Sequence, residues 1–211
     1  MKKLLLSLTL VVGLGLATHA QTKNPLQIGL KAGVNFANAS VSNDNFYTSF
    51  KANTTFYFGG TIDFAIGEML SLQPGLTLIG KGTKLTATDE DETFTTKLNT
   101  MNLEVPVNLL VNLKAGDGKV FLGGGPYYSV ALSGKLKHSD EEDEDVKFGS
   151  DDQSDLRRGD FGLNFLLGYR LNNGFNIHGG YSVGLKDVSA GNMEDVKIKN
   201  KAFSVGIGFS F

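Results

Sequence analysis

Cysteine is absent from the 211 residues of this chain. A chain without cysteine has no disulfide framework and no thiolate metal site, so its stability must come from packing and hydrogen bonding. No segment after the N-terminus approaches the run of about 18 apolar residues that indicates a transmembrane helix. The formal net charge of −2 argues against a nucleic-acid partner, and the mean hydropathy of −0.07 excludes a helical membrane protein and a disordered chain.

The N-terminus has the pattern of a cleaved export signal. Two lysines precede an apolar stretch at residues 4–16, and Thr18 and Ala20 supply the small side chains of a cleavage site. The apolar stretch is too short for an ordinary spanning helix, and no cysteine follows it as a lipoprotein anchor. We therefore predict a signal peptide at residues 1–20 and a single mature domain at residues 21–211.

Apolar residues alternate with small or polar residues along the mature chain. In the last segment Phe203, Val205 and Ile207 share one face, while Ser204 and Gly206 share the other. A β-strand separates such residues, whereas a helix would scatter them around its axis. Eight segments show this pattern, and each is long enough to cross a bilayer when tilted. They lie at residues 28–36, 56–64, 70–78, 102–112, 119–132, 160–170, 175–185 and 202–211.

The connections between these segments alternate strictly between long and short. Short turns are predicted near residues 67–68, 114–118 and 172–174, and long loops near residues 38–53, 82–95, 133–156 and 186–198. Outer-membrane barrels combine short periplasmic turns with long external loops. The sequence therefore predicts an all-β, eight-stranded antiparallel up-and-down transmembrane β-barrel in the outer membrane, with both termini in the periplasm. Threonines on both sides of residues 89–92 further predict that the third and fourth strands extend above the membrane.

The run Gly123–Gly125, followed by Pro126, interrupts the alternation of the fifth segment. It lacks the lysine, the following hydroxyl residue and the helix of a phosphate-binding loop. We interpret it as a place where the strand bends or packs closely against a neighbour.

The composition of the second face decides which way the apolar face points. A soluble lipocalin-like carrier would turn its apolar side chains inward around a ligand, whereas a membrane barrel turns them to lipid. Here the second face is small and polar, which suits the narrow interior of an eight-stranded barrel without an open pore. The predicted lumen network consists of Lys31, Glu104, Asn108, Asp160, Asn164, Arg170 and His178. We expect Glu104 at its centre, paired with Lys31 or Arg170.

Acidic residues are concentrated in two predicted external loops, at residues 89–92 and 139–155. Clustered carboxylates are the ligands of Ca²⁺, although the spacing of a helix–loop–helix calcium site is absent. The candidate ligands are Asp140, Glu141, Glu142, Asp143, Glu144 and Asp145. A landing site for a basic protein, a cation-bridged contact with lipopolysaccharide and a solvated loop without a ligand remain as alternatives.

No catalytic arrangement stands out, and we predict neither an enzyme nor a cofactor. His178 and Ser182 share the lumen face, but four residues separate them by about 13 Å along a strand, too far for a hydrogen bond. A site in the lumen also cannot be reached from the bilayer. A lipid-modifying barrel enzyme and a lipocalin-like carrier are the alternative functions.

The mature chain resembles the PorT-like outer-membrane β-barrel family, the outer membrane protein beta-barrel domain group. The resemblance covers residues 25–211 and rests on GLKAGVNFA (29–37), LSLQPGLTLIGKG (70–82), LNTMNLEVPVNLLV (98–111), FLGGGPYYSVALSG (121–134), DFGLNFLLGY (160–169), GGYSVGL (179–185) and FSVGIGFSF (203–211). It implies a surface barrel with a structural, interaction or secretion-accessory role. The aromatic end, Phe209 and Phe211, resembles the signal read by the outer-membrane assembly machinery. The expected partners are that machinery, outer-membrane lipid and lipopolysaccharide.

Overall fold

Eight long antiparallel strands form a closed barrel. The computed structural model describes residues 26–43, 46–49, 51–89, 92–137, 143–149, 153–190 and 197–211. The predicted signal peptide lies outside the described residues. The strands are β1 (Leu26–Asn43), β2 (Asn53–Ala65), β3 (Leu70–Asp89), β4 (Glu92–Ala115), β5 (Gly118–Lys137), β6 (Gly159–Leu171), β7 (Phe175–Gly184) and β8 (Lys197–Ser210). Each pairs with the next, and β8 pairs with β1 from Gly29↔Ser210 to Ser42↔Lys197, which removes the open sheet edges. The predicted fold class is confirmed.

Two short strands lie beside the barrel strands. Phe46–Ser49 pairs with the end of β1, and Glu144–Asp145 pairs with the end of β5. No helix among the described residues is long and apolar enough to cross a membrane.

Most large apolar side chains of the strands point out of the barrel, whereas a few, such as Leu110 and Phe121, are buried. Phe56 is 71% exposed and Leu167 is 60% exposed, whereas Asn108 on the opposite face is 1% exposed. We call these outward apolar side chains of β1–β8 the apolar belt. A continuous belt of this kind in water would be far larger than the apolar patches of soluble proteins, so it faces lipid. The lipocalin-like alternative is wrong, because it requires the apolar face inside.

The strands at the long-loop end extend further than the apolar alternation predicts. β1 continues to Asn43 and β5 continues to Lys137, so the predicted loops at 38–53 and 133–156 begin too early. Backbone pairing does not require apolar side chains, and it continues through the polar residues above the belt. The predicted extension of the third and fourth strands is confirmed, since β3 and β4 pair as far as Asp89↔Glu92.

The opposite end of the barrel has tight turns. Gly67, Gly116 and Gly174 have φ values of +116°, +57° and +92°, which residues with a Cβ rarely adopt. The described ends of the chain meet at this end, where the Phe211 amide donates to the Ile28 carbonyl at 2.8 Å.

The glycine run does not interrupt β5, which is continuous from Gly118 to Lys137. A Cβ added to Gly125 would overlap the carbonyl oxygen of Val107 on β4. The glycines therefore allow close packing of two backbones, one of the two roles predicted for them.

Candidate functional site: the polar lumen and the outer mouth

The seven predicted lumen residues all face the barrel interior. Asp160 is buried and Arg170 lines the lower lumen; the other five, Lys31, Glu104, Asn108, Asn164 and His178, line one cavity of about 50 Å³. Strand alternation explains this placement, because each residue follows or precedes an outward apolar residue. Contacts of Lys31, Glu104, Asp160, Arg170 and His178 form three layers between the outer mouth and the tight turns, whereas the Oδ1 atoms of Asn108 and Asn164 have no hydrogen-bond partner among the described residues.

The upper layer is centred on Lys81 of β3. Its Nζ lies 2.9 Å from Glu104 Oε2 and 3.0 Å from Asp160 Oδ2, and all three side chains are buried. Asp160 Oδ2 also accepts hydrogen bonds from the Tyr127 hydroxyl at 3.2 Å and from Asn200 Nδ2 at 3.0 Å. One ammonium group thus holds two buried carboxylates together across β3, β4 and β6.

The expected ion pair of Glu104 with Lys31 or Arg170 is not formed, although Lys31 lies near enough to interact with Glu104 electrostatically. Glu104 pairs with Lys81, a residue beyond the predicted end of the third segment at residue 78. The odd-numbered face of β3 continues inward past that point, through Ile79 to Lys81. Extending the alternation by three residues would have identified Lys81 as a lumen cation.

The middle layer joins a tyrosine to a histidine. The Tyr57 hydroxyl lies 2.7 Å from His178 Nε2, and His178 Nδ1 lies 2.9 Å from Asn176 Oδ1. Lys31 Nζ lies 6.0 Å from the centre of the Tyr57 ring. Both ring nitrogens of His178 therefore have partners inside the barrel.

The lower layer closes the lumen near the tight turns. Arg170 Nη2 donates to Asp63 Oδ2 at 2.8 Å, and Gln73 Nε2 donates to Asp63 Oδ1 at 2.6 Å. Arg170 Nη1 also reaches Gln27 Oε1 at 3.0 Å, and its guanidinium lies 5.5 Å from the Phe121 ring. The lower layer therefore joins β2, β3 and β6 across the lumen.

A loop segment covers the outer mouth. We call the described part of residues 143–158 the cap. Its Val146 amide donates to the Gly134 carbonyl, and its Arg157 amide donates to the Val188 carbonyl, each at 3.0 Å. The cap is therefore joined to the barrel rim by backbone hydrogen bonds.

Asp187 holds the rim beside the cap. Its Oδ1 accepts hydrogen bonds from the Ser189 amide at 3.0 Å, the Ser189 hydroxyl at 2.8 Å and the Ile198 amide at 2.9 Å. Partial burial opposes ionisation of Asp187, but these hydrogen bonds and the nearby Arg157 hold its pKa below the ordinary aspartate value.

We expect the amide proton signals of Ser189 and Ile198 to titrate together, with a midpoint below about pH 3.9. Because the pKa of Asp187 is depressed in the folded protein, its stabilising contribution is present above the ordinary pKa and is lost as the pH falls through the folded-state value. NMR spectra recorded against pH measure this midpoint. Asp187→Ala should abolish the shared titration, and a midpoint above the ordinary value would contradict the assignment.

The candidate cation ligands that the structure describes do not form a cation site. Asp140, Glu141 and Glu142 lie outside the described residues. Asp143 Oδ2 lies 2.7 Å from Lys137 Nζ, and this hydrogen bond lowers the pKa of Asp143. Glu144 and Asp145 are exposed in the short strand. Within the described ranges, no group of three His, Cys, Asp or Glu residues could hold a metal ion.

A basic feature that the alternation of the sequence does not reveal lies above the apolar belt. Lys51 pairs with Lys84, Lys84 with Lys97, and Lys97 with Lys137. Directly paired residues of neighbouring strands project from the same face, so the four lysines are adjacent. We call them the lysine row. Thr83 lines a cavity inside the mouth, so its neighbour Lys84 and the rest of the row point outward.

The C-terminal aromatic residues lie on the outer face at the tight-turn end. Phe209 and Phe211 are 40% and 54% exposed, and their ring centres lie 5.1 Å apart in an edge-to-face arrangement.

Solved structures and a family model are similar to this chain. Among curated protein sequences, none matches this chain. The structure is similar to Ail of Yersinia pestis (13% identity, 88% of this chain and 98% of that chain, TM-score 0.43), to Neisserial surface protein A (13%, 90% and 100%, 0.45) and to OprG of Pseudomonas aeruginosa (13%, 88% and 95%, 0.48). The family model of the outer membrane protein beta-barrel domain matches residues 19–190. This match covers most of the chain, and the protein therefore belongs to the outer membrane protein beta-barrel domain family.

Proposed function

We propose that this barrel is a closed, non-enzymatic surface protein that binds the phosphate groups of lipopolysaccharide through the lysine row. The observation that carries the proposal is the register that aligns Lys51, Lys84, Lys97 and Lys137 across neighbouring strands. Adjacent amines on one surface raise the local positive potential and favour a multiply charged anion.

The height of the lysine row fits the head groups of the outer leaflet. On β4, Met101 of the apolar belt is 45% exposed, and Lys97 lies four residues further toward the mouth. That separation is about 13 Å along the strand, or about 10 Å of height at a typical barrel tilt. Lipid phosphates lie just beyond the hydrocarbon, within reach of flexible lysine side chains.

The charges of two lysines in the row are available to a ligand. Among the residues whose side chains the structure describes, which do not include residues 85–95, no acidic group forms an ion pair with Lys84 or Lys97, whereas Lys137 pairs with Asp143. Asp143 thus neutralises the charge of Lys137 at one end of the row, and the centre of the row stays basic. A direct contact between lysine and phosphate replaces the cation-bridged contact considered from the sequence.

We further propose that the protein is a PorT-like barrel with an accessory function in secretion or envelope integrity, which the quoted sequence motifs support. The termini lie in the periplasm after removal of the signal peptide at residues 1–20. The support is that both described chain ends lie beside the tight turns, the periplasmic end of such barrels. Exposed Phe209 and Phe211 serve as the signal for the assembly machinery.

A non-enzymatic role is supported by the surroundings of His178. Its ring nitrogens contact Tyr57 and Asn176, and it is itself 9% exposed. A general base needs a free nitrogen within reach of the substrate proton. His178 therefore acts as part of the lumen packing.

The proposal predicts that the double variant Lys84→Glu/Lys97→Glu binds lipopolysaccharide about tenfold more weakly or worse, because each basic group near an anionic surface contributes about 1 kcal/mol. Binding is measured on the purified, detergent-solubilised protein by titration with lipopolysaccharide. Dephosphorylated lipopolysaccharide should bind the wild-type protein as weakly as the phosphorylated form binds the variant.

The matched control is Lys114→Glu/Lys119→Glu, which reverses another directly paired, exposed lysine pair at the tight-turn end. It should retain wild-type binding. Equal losses in both double variants, or equal affinities for phosphorylated and dephosphorylated ligand, would overturn the proposal.

A further inference from the structure

A mostly apolar cavity of about 120 Å³ lies inside the outer mouth. We call it the mouth pocket. Leu98, Ala131 and Ile198 of the barrel form its walls, and Phe148, Leu156 and Val188 cover it from the cap and rim. Leu156 and Val188 are 8% and 6% exposed, so the apolar part of the cover is packed against the barrel rim.

The cover of the mouth pocket is held in place. Phe148 and Leu156 form a backbone bridge, and Leu156 forms another with Ser189. Arg158 Nη1 donates to the Ala131 carbonyl at 3.2 Å, and its guanidinium lies 5.2 Å from the Phe148 ring. The pocket is therefore a built feature of the rim.

Two hydrogen-bond acceptors of the mouth pocket are unused. Asp160 and Thr83 both line it, and within the described part of the chain neither Asp160 Oδ1 nor Thr83 Oγ1 has a hydrogen-bond partner. Asp160 is 3% exposed, and its other oxygen takes the contacts with Lys81, Tyr127 and Asn200. A buried carboxylate oxygen without a donor is costly, which favours a ligand that supplies one.

We propose that the mouth pocket binds a small apolar molecule of about one aromatic ring that carries a hydroxyl or amine group. An apolar cavity of about 150 Å³ is known to hold benzene, so the size of the mouth pocket suits a single ring. The ring lies against Leu156, Val188 and Ile198, and the polar group donates to Asp160 Oδ1 beside Thr83. Arg157 and Arg158 also line the pocket, so an acid of the same size tests whether the polar group of the ligand meets Asp160 or a guanidinium; we expect a second carboxylate beside Asp160 to be disfavoured.

Phenol, toluene and benzoate share a ring and differ in the polar group. Comparing them tests whether the ligand needs a hydrogen-bond donor and whether a carboxylate is tolerated. The purified protein in detergent, with labelled methyl groups, is titrated with each compound and followed by NMR. We expect saturable shifts at Leu156, Val188 and Ile198 with phenol. Toluene should bind about tenfold more weakly, since a hydrogen bond to a charged acceptor is lost, and benzoate more weakly still. Thr83→Val should weaken phenol binding and leave toluene binding unchanged.

Ala131→Phe fills the mouth pocket and should abolish saturable binding, whereas the control Ala32→Phe adds the same ring to the lipid-facing surface and should retain it. If Ala131→Phe fails to fold, as judged by the mobility of unboiled samples on gels, Val188→Phe fills the pocket from the rim. Shifts that persist in the filled variants indicate partition of phenol into detergent and overturn the proposal that the mouth pocket binds it. Equal binding of phenol and toluene, or stronger binding of benzoate, overturns the assigned donor.

Discussion

Replacing Lys81 with methionine should destabilise the barrel by about 3–5 kcal/mol, because it leaves buried charges without their partner. In the wild-type protein the Lys81 ammonium lies within 3.0 Å of both Glu104 and Asp160, and all three groups are almost fully buried. Lys31 lines the same lumen cavity as Glu104, but it forms no ion pair with Glu104 or Asp160 in the described structure and does not replace these contacts. Urea titration of the detergent-solubilised protein, followed by the mobility of unboiled samples, measures the loss.

Two further variants separate the loss of charge pairing from the loss of packing. Lys81→Met combined with Glu104→Gln and Asp160→Asn removes all three charges and should recover most of the stability. Lys84→Met changes an outward lysine three residues along the same strand and should alter stability by less than about 0.5 kcal/mol. A Lys81→Met barrel as stable as the wild type would show that the ion pairs do not support the fold.

Replacing Gly125 with alanine should destabilise the barrel by about 1–3 kcal/mol, because the added methyl group has no space between β4 and β5. The Cβ would overlap the Val107 carbonyl, a backbone atom that cannot move aside without separating the two strands. The same urea titration measures the effect, and near-ultraviolet circular dichroism reports whether Tyr127 and Tyr128, close by on β5, change environment.

Gly60→Ala is the matched control for Gly125→Ala. The nearest atom to a Cβ at Gly60 is the Gly29 carbonyl oxygen at 3.6 Å, an ordinary contact distance. This variant should remain within about 0.5 kcal/mol of the wild type. If the two variants are equally stable, the glycine run has no packing role.

The upper layer was only partly predictable from the sequence. Alternation alone places Glu104 and Asp160 in the lumen, and both lie there. The alternation does not identify Lys81, because the outward leucines that mark the third segment end at Leu78, before the strand itself ends. The apolar alternation marks where a strand crosses lipid, whereas backbone pairing sets its length, and the two differ wherever a strand rises above the membrane.

By itself, the sequence determined the number of membrane strands, the face that each residue occupies and the end of the barrel that carries the tight turns. These properties are local, since they depend on a repeat of two residues and on turns of a few residues. Only the tertiary structure decided that Lys81 joins Glu104 to Asp160, that four lysines align across neighbouring strands and that the cap encloses the mouth pocket. Such contacts depend on the register of every strand pair and on the closure of β8 against β1, because the stagger accumulated around the barrel sets which side chains meet across the lumen.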